Sequence, residues 1–449
     1  MSHYKLYPAY KDSGVEWIGR VPEHWTVRRL KFSISSCQNG VWGDEPTGSG
    51  DTPCVRVADF DRSALRVNQE IPTLRAIPER DRANRVLRRG NLLLEKSGGG
   101  ERQPVGQVVL YDCDAEAVCS NFIARIVLSD GADSSFWCYQ FAGAYACGLN
   151  LRSVKQTSGI QNLDQEQYLD EMATCPPPAE QSAIAAALDR ETAGIDALIA
   201  RKTHFIELLK EKRQALITHA VTKGLDPSVK MKDSGVEWIG KVPLHWDSVP
   251  IRRVAKLESG HTPSRSEPSY WVNCTIPWFT LADIWQVRKE GRVFVSETTE
   301  KVSELGVANS SARKLPAGTV ILSRTASVGF PAIMGCEMAT SQDFAAWVCG
   351  DRLSNEFLYL CLVAMRDELG RLTMGSTHKT IYMPDIEQLR CPLPPILEQK
   401  RILEFVSRQT KRFDELMVNV EHSITLLKER RSALITAAVT GQIDLREAA

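Results

Sequence analysis

Apolar residues recur at a 3–4 spacing along two long stretches of the chain. In residues 180–222 they are Ile184, Leu188, Ile195, Leu198, Phe205, Leu209 and Leu216; in residues 398–440 they are Ile402, Val406, Phe413, Leu416, Val420, Leu427 and Leu434. A stripe of that period, held over several heptads, predicts a long helix packed as a coiled coil. Prolines stand just ahead of each stretch, at Pro176–Pro178 and Pro394–Pro395, where they cost a helix little. The second stretch has no Gly or Pro and the first has only Gly194. At about 1.5 Å per residue each becomes a rod of about 60 Å. Polar residues break the seam at Glu191, Lys202 and Lys212, and at Gln409, Ser423 and Arg430. They read first as seam-edge positions, with register selection as the alternative.

The stretches between the rods carry short runs of β-branched and aliphatic residues bounded by turn formers. Residues 53–57, 92–94, 107–111 and 123–128 read as strands, and so do 276–280, 319–322, 331–334 and 345–348. A helix is expected after each set, over 135–147 and 355–369. The fold class is therefore α+β, mixed domains joined to long helices.

The chain also repeats itself. Lys11-Asp-Ser-Gly-Val-Glu-Trp-Ile-Gly19 recurs unchanged at Lys232–Gly240, and the match continues through Val21-Pro22 and His24-Trp25 to Val242-Pro243 and His245-Trp246. A second block, 180–222 against 398–440, aligns without a gap at an offset of 218, with 21 identities in 43 positions. The segments between these blocks differ. The order is opener, variable domain, long helix, and then the same again.

Composition narrows the class. The 449 residues suffice for two or three domains, and 43% hydrophobic with 24% charged residues is ordinary for a globular protein. Lys+Arg and Asp+Glu both number 55, which excludes bulk-charge binding of the histone kind but leaves room for a local basic groove. The start has no signal-peptide layout and no apolar run reaches about 18 residues, so neither secretion nor a membrane span is expected. Twelve cysteines without a CxxC suggest reduced thiols in a cytoplasmic protein, without a zinc site.

Catalytic signatures are missing. There is no GxxxxGK[ST], no GxSxG and no HExxH, and the Pro-Pro pairs lack the Asp/Asn and aromatic flanks of an adenine methyltransferase motif. His24 and His245 recur in the openers, and His204 and His422 on the helices, which marks shared structure. What remains are polar loops, two in each variable domain. Glu95–Gln103 is a glycine-rich turn after a strand, in which Lys96 and Arg102 suit phosphate and Gln103 a base edge. The alternative is a solvated hairpin. Lys155–Asn162, with Lys155 and Gln156, is dense in donors and acceptors. The counterparts in the second domain are Ser323–Ser327, with Arg324 and Thr325, and Ser376–Thr380, with His378 and Lys379.

This order of parts resembles the specificity subunits of type I restriction–modification systems. The resemblance rests on the openers Ser13–Gly19 with His24-Trp25, on the Pro-rich Glu-Gln helix entries at Pro177–Gln181 and Pro394–Gln399, and on their repetition along the whole chain. It implies two α/β target-recognition domains separated by two long antiparallel coiled-coil helices, with an internal pseudo-two-fold repeat. The divisions are 1–30 opener, 31–175 first recognition domain, 176–224 first spacer helix, 225–253 linker and second opener, 254–391 second recognition domain, and 392–449 second spacer helix and tail. The resemblance further implies that each recognition domain reads one half of a split, asymmetric site in double-stranded DNA. The helices set the unread gap and recruit two methyltransferase subunits, which methylate adenine N6. Restriction–translocase subunits complete the assembly. Cofactors belong to those partners, S-adenosylmethionine and ATP; this chain is expected to hold none and to catalyse nothing. Two departures limit the transfer: the Glu95–Gln103 loop has no close copy in the second domain, and Gly194 interrupts only one helix. On sequence alone, contact residues therefore cannot be mapped from one half to the other. The competing readings are a coiled-coil scaffold that binds protein but no DNA, and a fused enzyme that performs the chemistry itself.

Overall fold

A computed structural model of the chain describes residues 4–101, 103–157, 159–373 and 379–446. It divides into two compact units, residues 1–203 with 421–449 and residues 204–420. Each unit contains half of each long helix, Pro178–Lys223 and Ile396–Val439. Both helices agree with the sequence periodicity to within two residues.

In the first unit the main sheet has six strands in the order 34–39, 123–128, 92–95, 108–110, 66–67, 60–61. A smaller sheet follows the order 118–119, 52–55, 74–75. The run Leu92-Leu-Leu94 is buried on both faces because it is the central strand. Leu92 and Leu94 join the core shared with the helices, and Leu93 joins the core under the small sheet. Helix Ser134–Ala146 lays Phe136, Trp137 and Phe141 into the same core, its first turn capped by the Asp133 carboxylate accepting from Phe136 N at 2.9 Å. Gly143 is needed where it stands: a Cβ there would lie 2.9 Å from Cγ2 of Val439, at the end of the second long helix.

The second unit repeats the plan on unrelated residues. Its main sheet runs 255–259, 344–349, 320–323, 331–334, 294–295, and its small sheet 300–302, 276–279, 339–340. The helix expected over 355–369 is two, Asn355–Ala364 and Arg366–Arg371, because Met365 leaves helical geometry at ψ 6°.

The repeated motifs have identical jobs in the two units. Each opener is a hairpin, Tyr10–Asp12 with Arg20–Pro22 and Met231–Asp233 with Lys241–Pro243. Its turn is closed by Ser13 N donating to Gly19 O at 3.0 Å, and by Ser234 N to Gly240 O at the same distance. Trp25 and Trp246 are fully buried behind it. The preceding histidines reach the helix entries: His24 Nε2 lies 2.8 Å from Glu180 Oε2, and His245 Nε2 lies 2.9 Å from Glu398 Oε2. The adjoining glutamines brace the variable domains. Gln181 Oε1 accepts from Asp133 N at 3.1 Å while its amide donates to Pro176 O at 2.9 Å; Gln399 Oε1 accepts from Ser354 N at 2.8 Å while its amide donates to Pro394 O at 2.9 Å. Asp133 and Ser354 are the N-cap residues of the domain helices. Strands 26–29 with 172–175, and 247–250 with 390–393, bring the two ends of each variable domain together.

Within each unit an ion pair joins the two long helices. In the first, Arg431 Nε meets Asp196 Oδ1 at 3.0 Å; in the second, Arg213 Nε meets Asp414 Oδ1 at 3.5 Å. The 218-residue offset relates the two pairs, arginine to arginine and aspartate to aspartate. The apolar stripe is only partly used. Ile184, Leu188, Ile195, Leu209, Ile402, Val406 and Leu434 are buried, but Leu198, Phe205 and Leu416 are about half exposed. Of the polar breaks, Glu191 accepts a hydrogen bond from Tyr4 Oη at 2.9 Å. None of the twelve cysteines forms a disulfide, and no described helix is long and apolar enough to cross a membrane.

Candidate nucleic-acid interface

The two polar segments picked out in each variable domain are neighbours in space. In the first unit Ser97 pairs with Asn162, its hydroxyl donating to Asn162 Oδ1 at 2.6 Å, and Gly98 N donates to Gln161 O at 3.1 Å. Leu163 N donates to Lys96 O at 2.8 Å. In the second unit Thr325 pairs with Thr380, Ala326 N donates to Lys379 O at 2.9 Å, and Ile381 N donates to Arg324 O at 2.8 Å.

These bonds place Lys96 and Arg324 at equivalent positions. Each is the first residue after the central strand, Leu92–Glu95 or Val320–Ser323. Lys96 N donates to Phe122 O at 2.8 Å and Arg324 N to Asp343 O at 2.9 Å. A correspondence between the halves, absent from the aligned sequence, therefore exists in the backbone. A cation stands at this position in both units, as phosphate positioning requires.

Other details depart from expectation. Glu95 is no part of a polar loop: it ends the strand, fully buried, with its carboxylate 2.8 Å from Arg62 Nη2. Burial raises its pKa, and Arg62 pulls it partly back. Residues 155–157 and 160–162 belong to paired strands rather than to a loop, Val154–Thr157 against Ile160–Leu163, with Gly159 at φ +86°. Alternation hid this, because Ile160 stays half exposed and only Gln161 and Leu163 turn inward. Lys155 is exposed and pairs with Asp164 at 2.7 Å, which holds that carboxyl below its usual range. Gln156 is exposed opposite Gln161. Gln103 is exposed and closes a tight turn, exchanging backbone bonds of 3.0 Å with Gly100. Lys96 Nζ donates to Asn39 Oδ1 at 2.5 Å, and Arg324 Nη1 to Ile381 O at 3.4 Å. Lys379 is exposed, and Thr325 is half-buried. Arg102 and His378 lie outside the described residues.

The loop in the second unit is strained. Ala326 sits at φ +58°, a region that a residue with a Cβ enters at a cost of about 1 kcal/mol. The Ser323 hydroxyl, bonded to Ser327 O, closes the loop around it. Among the described residues no cluster of His, Cys, Asp and Glu could hold a metal ion.

Comparison with known proteins finds similarities along the chain. Residues 243–426 match the type I restriction modification DNA specificity domain. The chain is similar to several type I specificity subunits. It is 21% identical to the putative type I restriction enzyme MjaX specificity subunit of Methanocaldococcus jannaschii, over 96% of either chain. To the MjaIX specificity subunit of the same organism it is 28% identical, over 42% of this chain and 43% of that protein. To the EcoR124I/EcoR124II specificity subunit of Escherichia coli it is 24% identical, over 44% and 46%. These last two alignments thus span less than half of the relatives' length. Solved structures share the fold. The HsdS subunit from Thermoanaerobacter tengcongensis superposes with a TM-score of 0.50 at 16% identity, covering 94% of this chain and 98% of that one. A chain from a structure of type I R-M complex assembly and conformational transition gives 0.63 at 19% identity, covering 93% and 98%. In specificity-subunit terms, the matched domain model takes in the second variable domain, where Arg324, Thr325 and Lys379 lie.

Proposed function

We propose that this chain is the DNA-recognition subunit of a type I restriction–modification complex and has no catalytic role. Residues 31–175 and 254–391 act as recognition domains, each reading one half of a split duplex site; since their sequences differ, the halves differ. The long helices set the number of unread base pairs. Their exposed apolar residues, Leu198 with Leu416 and Leu208 with Leu426, are related by the 218-residue offset and suit two copies of one methyltransferase subunit. Those subunits supply S-adenosylmethionine-dependent adenine N6 methylation, and translocase subunits supply ATP-driven restriction.

The observation that carries this reading is the recurrence, on unlike sequences, of one arrangement: a basic residue after the central strand, bonded to a neighbouring polar segment. Lys96 and Arg324 hold the phosphate backbone, and the adjoining polar side chains meet base edges. Selection of bound duplexes from a randomised pool by the complex of this chain with its methyltransferase tests the proposal. Enrichment of one motif with two unlike halves is expected. A pool recovered without any motif would instead favour a coiled-coil scaffold without DNA specificity.

A further inference from the structure

Resting on that reading, the structure assigns base selection to four positions in each unit, which share one backbone frame and differ in every exposed side chain. The frame is defined by hydrogen bonds that recur pair by pair. Ser120 N donates to Val55 O at 2.9 Å, and Ser341 N to Phe279 O at 3.1 Å. Val41 N donates to Cys119 O at 2.8 Å, and His261 N to Thr340 O at 3.0 Å. Arg56 N donates to Asp59 Oδ2 at 2.7 Å, and Thr280 N to Asp283 Oδ2 at 3.0 Å; both aspartates are buried. Gly40 and Gly260 complete the match, since a Cβ on either would lie within 2.5 Å of the carbonyl oxygens of that same turn. Trp42 therefore corresponds to Thr262, Arg56 to Thr280, Asn121 to Gln342 and Phe122 to Asp343.

In the first unit these residues line one open cleft of about 490 Å³, with Trp42, Arg56, Asn121 and Phe122 around it. Phe122 is 49% exposed and Trp42 37%, an unusual exposure for two large aromatics that line one cleft. Trp42 is fixed in place: the guanidinium of buried Arg75 lies 4.5 Å over its ring and Arg75 Nε donates to its carbonyl. Arginine, asparagine and aromatic faces are the groups that read guanine, adenine and the thymine methyl. In the second unit the same frame carries short polar and acidic groups. Thr262 Oγ1 donates to Gln342 Oε1 at 2.6 Å, and Asp343 Oδ2 accepts from Ser341 Oγ at 2.9 Å. Glutamine suits adenine, and a carboxylate accepts from the cytosine amine. The turns Ser120–Phe122 and Ser341–Asp343 also carry the carbonyls that hold Lys96 and Arg324. A constant cation thus sits beside variable readers, as expected where phosphate contacts position and side chains specify.

The test exchanges the turn residues in the full chain, Asn121→Gln with Phe122→Asp, and maps methylated adenines in cells expressing the chain with its methyltransferase. One half of the motif is expected to change or relax, with sites differing at one base pair of that half gaining about tenfold in methylation. The other half and the gap stay as they were. A motif unchanged at full methylation would overturn the assignment, and so would a change in both halves. If the double variant does not fold by thermal melting, Asn121→Ala, a truncation at an exposed turn, decides by the same readout. A wild-type complex that yields no split motif at all would sink the functional reading itself, a result distinct from either.

Discussion

Lys96 and Arg324 are one position in two disguises, and their chemistry predicts how they fail. Each is anchored through its backbone to the turn beside it, so truncation removes a cation without moving the loop. Lys96→Ala and Arg324→Ala are each expected to weaken binding of the complex to specific and non-specific duplex alike. The slope of log affinity against log salt should fall by about one for each lost phosphate contact. Measuring affinity at several salt concentrations checks this; a loss confined to one base sequence would assign the residue to base readout instead. The sequence marked both residues by charge and turn context and matched their loops, but could not align them residue by residue, because segments of different length separate them from the aligned openers. Glu95 was misread for a related reason. Next to Lys96-Ser97-Gly98 it looks like loop, and only Arg62, 33 residues earlier, makes its burial tolerable.

At the scale of elements, what was legible was whatever repeats or is strongly periodic. The two long helices and the central strands fell within a residue or two of expectation, since their apolar spacing is local information. Two-residue strands such as Phe294–Val295 were invisible, because that strand is defined only by a parallel partner far along the chain. The Glu-Gln helix entry was visible as a motif but silent as to role. Its role needs the opener histidine and the domain helix cap, which approach only in the fold. The helices also carry a prediction. Removing one heptad from each, residues 197–203 and 415–421, deletes equivalent segments and nearly preserves the facing stripe. About 10 Å of helix disappears, close to three base pairs of duplex. Activity will drop with the altered duplex phase, but the residual motif should keep both halves and a shorter gap. Changed halves, or an unchanged gap, would refute the spacing role.

For the whole molecule, zero net charge fits the proposed role in recognition. Affinity from bulk charge would favour any duplex, whereas a few local cations beside variable side chains leave selection to the bases. On the proposed reading, two units with the same backbone plan and unlike side chains at the turns act as two independent readers in one chain. The measurement that tests this most directly is a genome-wide map of methylated adenine in cells expressing the chain with its methyltransferase, against cells lacking only this chain. A split motif with two unlike halves, present in the first map and gone from the second, is the predicted result. An adenine pattern identical in both, in cells where the methyltransferase is active, would contradict the account.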